Sequence, residues 1–238
     1  MKSPDFYGKY ELLPTELKNN GAIISMAESS SPLTQVWSTN DGFEWAGKDP
    51  NLDAEFVTNW VTHDLGKTVG WKFDAGRDFS RDFATDTLGI VINKAAVKFM
   101  GLKNPVGAIV RNTNDPKKRA FKIIGVVDDM LVESPYAPVH QAMYFLDYEN
   151  VNWIELKLNP NKSAASSVTK IQATFKKFIP SAPFDYKFAD TEFAAKFAAE
   201  ERIGTLATLF AALAIFISCL GLFGLASYVA EQRTKESV

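Results

Sequence analysis

From residue 203 to residue 230 the sequence reads IGTLATLFAALAIFISCLGLFGLASYVA, without a charged side chain. About 20 apolar residues cross the hydrocarbon core of a bilayer, and this run is longer. A core helix of a water-soluble protein keeps a polar face toward solvent, and this stretch has none. Thr205, Thr208 and Ser218 fit a lipid setting, because each hydroxyl can return to a carbonyl of its own helix. The flanks turn polar at once, with Glu200, Glu201 and Arg202 before the run and Glu231, Gln232, Arg233, Lys235 and Glu236 after it. The run reads as a transmembrane helix rather than a buried core helix.

Small residues recur along one side of it. Gly204, Ala207, Ala211, Ala214, Ser218 and Gly221 follow alternating steps of three and four, which places them on one helical seam. Small side chains let a second helix approach closely, and close approach drives packing where lipid cancels the hydrophobic effect. The expectation is one span of a bundle. The plainer reading is that alanine and glycine are common in membrane helices.

The remaining chain can build a core. It has 238 residues in all, 46% hydrophobic and including 18 Phe, enough for one large or two modest domains. A net charge of −2 gives no basic footprint for nucleic acid. The single cysteine, Cys219, lies inside the apolar run, so an intrachain disulfide is excluded. The opening MKSPDFYGKYELLP has no apolar stretch of the kind a signal peptide needs. Arg233 and Lys235, dense in a short tail, favour a cytoplasmic tail and so residues 1–200 outside the cytoplasm. A chain starting as this one does then implies a membrane span upstream in a longer protein. The competing expectation is a tail-anchored domain that stays in the cytoplasm.

Periodicity and turn chemistry predict the elements. Helix 14–20 leads to a strand over 22–27, a strand beginning at 36–37 and a loop over 40–51. A strand over 56–62 follows, then a helical turn after Asp64 ending near Gly70. Strand 88–92 runs into helix 94–100, with Asn93 as its N-cap and Gly101 as its stop. Strand 106–111, hairpin loop 112–118, strand 120–127, connector 130–139 and strands 142–146 and 153–158 come next. Helix 163–179 carries Ala164, Val168, Ile171, Phe175 and Phe178 on one face and ends at Pro180 and Pro183. A strand over 184–188 precedes Asp190, which caps a helix with no breaker before the apolar run. A rod over 191–230 would be roughly 60 Å long. Helix-then-strand at 14–27 and again at 163–188 suggests an internal echo, the two units pairing into one αβ lobe.

Chemistry-bearing motifs are sparse. The phosphate loop, HExxH and GxSxG patterns are missing. His63 and His140 stand alone. Asp78, Asp82 and Asp86, interleaved with Arg77 and Arg81, read as a solvated loop or helix face, since the order of an EF-hand is absent. Asp128 and Asp129 read as a strand leaving the sheet for water. Asn161-Lys162-Ser163 matches a glycosylation acceptor, a short motif. Nothing here points to an enzyme.

The stretch GWKFDAGRDFS, with TLGIVINKAAVKFMGL, NPVGAIV, FKIIGVVDDM and the terminal LAIFISCLGLFGLASYVAEQRTKE, resembles the MacB-type periplasmic core domain followed by an FtsX-like permease helix, in the version common in Bacteroidetes. The resemblance implies an α+β fold: a periplasmic two-lobe domain, with a porter-like αβ lobe and an inserted β-rich lobe, followed by a long transmembrane helix. It implies a porter-like lobe from residues 1–35 and 150–190, an inserted lobe from 36–149, a stalk helix over 191–202, a transmembrane helix over 203–230 and a cytoplasmic tail over 231–238. Gly76, Arg77 and Phe79 match the GRxF turn. Asn93 matches the asparagine opening the helix, Gly107 the PxG turn, and Gly125 and Asp129 the GVVxD strand end. These are fold signatures and not catalytic residues.

The implied function is that of a truncated permease subunit of an ABC transporter in the bacterial inner membrane, with its main domain periplasmic. The implied partners are a cytoplasmic ATPase subunit, a second permease copy, a periplasmic adaptor and the lipid bilayer. No cofactor is implied. The rival readings are a membrane-tethered extracytoplasmic sensor and an FtsX-like regulator of cell-wall hydrolases.

Overall fold

The structure is a computed structural model that describes residues 12–130, 132 and 138–236. Residues Met1–Lys187 form one compact unit and Phe188–Val238 a second. Most of the expected connector over 130–139 lies outside the described residues, as do the first 11 residues of the expected porter-like lobe and the last two of the expected tail.

Among the described residues the first unit has ten strands and four α-helices. Helix α1 (Leu12–Asn19) leads into β1 (Ile23–Ser29), β2 (Thr39–Asn40), β3 (Phe43–Trp45), β4 (Phe56–Val61) and α2 (Leu65–Val69). Strand β5 (Phe73–Gly76) precedes β6 (Gly89–Asn93), α3 (Lys94–Met100), β7 (Ile109–Asn112) and β8 (Ala120–Val127). Strands β9 (Ala142–Leu146) and β10 (Trp153–Leu158) are followed by α4 (Ala164–Phe178). The sheet runs β10-β1-β4-β9-β6-β8-β7-β3, with β2 pairing on β4 and β5 on β8. Two neighbours are parallel, β4 with β9 and β6 with β8. Every residue of β6 is buried, as befits a continuous apolar run in the middle of a sheet covered on both faces.

Three apolar clusters hold this unit. One joins Leu13 and Leu17 of α1, Ile23 and Met26 of β1 and Ile171 of α4, with Ile154, Leu156 and Leu158 of β10 packed on it. A second gathers Phe43, Trp45, Phe56, Ile90, Ile92, Val110 and Phe145. The third lies beneath α2 and includes Ala27, Val61, Leu65, Phe79, Val91 and Tyr144.

Several expectations are corrected. The strand expected at 36–37 is displaced to β2, and Trp37 is 55% exposed. The loop expected over 40–51 contains β3, whose Phe43 and Trp45 are buried, the indole N–H of Trp45 donating to Met100 O at 3.1 Å. Strand 106–111 starts only at Ile109, because Gly107 and Ala108 complete a turn. The strand expected over 184–188 is absent. Phe184 instead lays its ring on Phe175 of α4, 5.4 Å between centroids, so alternation here reflects packing on a helix and not a ladder. The helix–strand echo fails with it, and β10 rather than 184–188 pairs with β1.

The face of α4 is largely the expected one, with Ile171 buried and Phe175 and Phe178 packed against the first cluster. Its buried residues are Ser167, Ile171 and Thr174, while Ala164 is exposed. Polar ties also join it to the end of α1: Asn20 Nδ2 donates to Thr174 Oγ1 at 3.2 Å and Lys170 Nζ to Asn20 O at 2.8 Å.

The second unit is α5 (Ala189–Glu236), an unbroken helix of 48 residues. At 1.5 Å per residue it is about 72 Å long.

Candidate functional site

The GRxF turn is assembled by backbone proximity first. Gly76 pairs with Gly125 across β5 and β8. Gly76 has φ +73°, and a Cβ there would run into the carbonyl oxygen of Ile124; a Cβ on Gly125 would run into that of Arg77. Only glycine permits this approach. It projects Arg77 toward the short 3₁₀ turn Ala84–Leu88.

There Arg77 meets Asp86 in a bidentate pair, Nη1 to Oδ2 and Nη2 to Oδ1, both 2.7 Å. Arg77 also donates to Asp78 O at 2.9 Å, and its guanidinium lies 4.1 Å from the ring centroid of Phe83. Ser80 N–H donates to Asp86 Oδ2 at 2.9 Å. Asp86 is 1% exposed. Burial would raise its carboxyl, but the Arg77 and Ser80 hydrogen bonds outweigh it and hold the group below the usual carboxylate range. The reading of Asp78, Asp82 and Asp86 as one solvated face is therefore wrong for Asp86. Phe79, two residues on from Arg77, is buried in the third cluster.

Around this turn lie further polar groups. Asp78 is half-buried against Gly66 and Trp71. Burial pushes its carboxyl up to about 6, against the opposing hydrogen bond from Phe79 N–H. Arg81 pairs with Asp64 at 2.8 Å. His63 Nδ1 lies 2.6 Å from Tyr148 Oη, and burial, aided by Arg81, lowers its pKa.

Asn93 is the other organising side chain. Its Oδ1 accepts from Ala96 N–H at 2.9 Å, capping α3, and from Ala142 N–H at 2.9 Å; its Nδ2 donates to His140 O at 2.9 Å. One buried amide thus joins β6, α3 and β9. Asp129 Oδ1 accepts from Ala95 N–H at 2.9 Å at the same helix start. Asp128 pairs with Lys94 at 2.6 Å, and Lys94 also reaches Asp74 at 3.0 Å. Gly107 N–H donates to Ile123 O at 2.8 Å, closing its turn onto β8. A shallow groove of ≈ 660 Å³ opens beside these residues, lined by Lys94, Val97, Lys98, Leu102 and Val106 among others. Among the described residues no group of three or more His, Cys, Asp or Glu side chains is placed to hold a metal ion.

Helix α5 is the one helix among the described residues long and apolar enough to cross a membrane. Thr205 Oγ1 donates to Glu201 O, Thr208 Oγ1 to Gly204 O and Ser218 Oγ to Ala214 O, at 2.9, 2.9 and 2.8 Å. Each hydroxyl is satisfied inside the helix. Gly204, Ala207, Ala211, Ala214, Ser218 and Gly221 are exposed along it.

The structure brings Gly76, Arg77, Phe79 and Gly125 together and places Asn93 and Asp129 at one helix start. Sequence reasoning missed Asp86 as the partner of Arg77, the His63–Tyr148 pair and the ties from Asn93 to β9. Each depends on contacts between separate strands and turns, for which local spacing carries no signal.

No family model and no curated protein matches the chain. Solved structures do. The periplasmic region of MacB from Actinobacillus actinomycetemcomitans superposes with a TM-score of 0.55 at 16% identity, over 78% of this chain and 81% of that one. The extracellular domain of the noncanonic ABC-type transporter YknZ from Gram-positive bacteria gives a TM-score of 0.50 at 14% identity, over 72% of this chain and 84% of that one. The chain has the fold of MacB-type periplasmic core domains.

Proposed function

We propose, with the MacB-type periplasmic fold as premise, that this chain is part of a permease subunit of an ABC-type transporter. Its folded domain sits outside the cytoplasm, and α5 crosses the bacterial inner membrane over 203–230, with 191–202 as a stalk and 231–238 as a cytoplasmic tail. The observation that carries the reading is the union, in one chain, of that fold with an unbroken 48-residue helix. ATP hydrolysis belongs to a separate cytoplasmic subunit, and motion reaches the outer domain through α5. A straight helix without proline resists bending, so displacement at one end is felt at the other. The face of Gly204, Ala207, Ala211, Ala214, Ser218 and Gly221 packs against further membrane helices of the same or a second permease copy. A periplasmic adaptor meets the outer domain.

Within that domain the reading distinguishes two lobes. A porter-like lobe comprises residues 1–35 and 150–190, and an inserted β-rich lobe residues 36–149. The separate apolar clusters on α1, β1, β10 and α4 and on β3, β4, β6, β7, β8 and β9 support it. The turn residues Gly76, Arg77, Phe79, Asn93, Gly107, Gly125 and Asp129 keep the inserted lobe rigid enough to be moved as a body.

Insertion is tested with the native Cys219 and a second cysteine at Lys117 on the hairpin tip. In intact cells a membrane-impermeant maleimide should label Lys117→Cys and leave Cys219 unlabelled until detergent is added. Labelling of Cys219 in intact membranes refutes the span. Co-purification of the full-length subunit with an ATP-hydrolysing protein, and loss of its stimulation by the subunit on truncation of α5, tests the permease role. Copurification with a cell-wall hydrolase alone would favour the regulator reading.

A further inference from the structure

We propose that the seam between β1 and β4 is a hinge on which the β10–β1 lobe turns relative to the lobe built on β4, β9, β6, β8, β7 and β3. The inference rests on the two-lobe reading of the domain. Strand β1 pairs with β10 from Ile23 to Ser29, and β4 pairs with β9 from Val57 to Val61. Between them, β1 and β4 meet at the single pair Ser29↔Val61.

The ladder stops on both sides of that pair for the same reason. Around a non-hydrogen-bonded antiparallel pair, the flanking residues should exchange both of their backbone bonds. Ser30 N–H does donate to Trp60 O at 2.8 Å, and Thr62 N–H to Glu28 O at 3.0 Å. The reciprocal bonds are intercepted. Trp60 N–H goes to Ser30 Oγ at 3.0 Å and Glu28 N–H to Thr62 Oγ1 at 2.9 Å. Asn59 Oδ1 then accepts from Ser30 Oγ at 2.9 Å and from Ser30 N–H at 3.1 Å. Glu28, Ser29, Asn59 and Thr62 are all buried, so these backbone donors need partners. Hydroxyls satisfy them without adding a rung. A hydroxyl turns about χ1 and can follow its donor as the strands twist, which a carbonyl fixed in the opposite strand cannot do.

Apart from α2, which lies against β1 and β10, and the Trp37–Trp153 ring contact, buried apolar packing across the seam is thin. Ala27 is the one buried residue that β1 supplies to the cluster beneath α2, and β10, α1 and α4 supply none of its buried residues. A buried side-chain bond between Ser25 Oγ and Thr68 Oγ1, 2.7 Å, ties α2 to β1. A twist at the seam therefore displaces one small buried apolar side chain of β1, and several of the bonds it strains end on side chains rather than on backbone carbonyls. Hinges of this sort concentrate at element ends that absorb backbone rotation.

Amide hydrogen exchange on the full chain in detergent micelles tests the hinge. Amides facing the seam, those of Glu28, Ser30, Trp60 and Thr62, should exchange on the order of tenfold faster than those of Ala27 and Ser29, which face β10. In a Cys219→Ser background, oxidised Ser25→Cys/Thr68→Cys should slow the seam amides by a similar factor, leave those of β6 and β8 unchanged, and lose the effect on reduction. Seam amides as protected as Ala27 and Ser29 in the wild-type chain overturn the hinge, whatever the cysteine pair does. If the amides of β1 and β10 then still exchange at rates distinct from those of β6 and β8, the two lobes stand without a hinge. One common rate throughout would sink both. The chain is studied without an ATPase, so neither outcome bears on the permease role.

Discussion

At the scale of single residues, polar side chains join separate elements of the first unit around its apolar clusters. Asp86 is the clearest. Removing it leaves Arg77 without its bidentate partner and Ser80 N–H without an acceptor. Breaking a fully buried pair costs about 3–5 kcal/mol; Arg77 is 38% exposed, and water screens what remains. Asp86→Ala should therefore lower the unfolding free energy by about 2–3 kcal/mol, read from urea denaturation of the domain. Asn93→Ala should cost about 3 kcal/mol, since it removes a helix cap and leaves buried partners on β9 unpaired; Asn93→Asp keeps the acceptor and should cost less. Glu155 gives a pH signature. Burial raises its carboxyl to about 7, against the Ser29 hydroxyl bond that opposes it. Its folded-state pKa exceeds the unfolded value of about 4.3, so the folded chain binds the proton first and this contribution to stability falls as pH rises through 7. Glu155→Gln should gain stability relative to wild type between pH 5.5 and pH 8; urea midpoints at the two pH values measure it. The cap at Asn93 was legible because capping is local. The roles of Asp86, in a turn, and Glu155, on the polar side of a strand, were not, because a charged residue at either place looks alike whether water or a buried partner receives it.

At the scale of elements, the legible parts were those with a strong period or a local stop. Strand β8 spans the residues predicted, and α3 sits between its asparagine cap and its glycine. The failures share a cause. Residues 184–188 alternate like a strand, yet Phe184 packs on Phe175 of α4 while Tyr186 is exposed, and the two-residue period cannot tell a ladder from a cap on a helix. Strand β3 was hidden inside turn-rich sequence because three residues are too short to show a period. For α5 the prediction concerns stiffness. Ala199→Pro removes a backbone donor and kinks the helix. If the chain is the proposed permease, the variant should uncouple ATP hydrolysis from transport while the circular dichroism of the first unit stays native. Unchanged transport would refute a transmitting helix.

At the scale of the whole molecule, the fold could be named from ordered motifs, while the path of the sheet could not. Sequence order says nothing of β1 lying beside both β10 and β4, since the chain passes β2 and β3 before β4 and every other strand before β10. The long apolar helix was legible because a uniform run without a breaker is a local signal that needs no long-range contact. If α5 packs within a membrane bundle, replacing Gly204 and Gly221 by leucine should block close approach. The variant should then elute as a smaller species from size-exclusion chromatography in mild detergent, with the outer domain's urea midpoint unaltered.

The absence of any interruption in α5 also fixes an angle. Each residue turns a helix by about 100°, and nothing between Ala189 and Glu236 resets the phase. One residue inserted near position 198 would swing everything after it a quarter-turn and more around the axis, whereas seven would return it to within about 20°. Length in this segment is thus tolerated only in near-whole windings: what the helix conserves from one end to the other is bearing rather than reach.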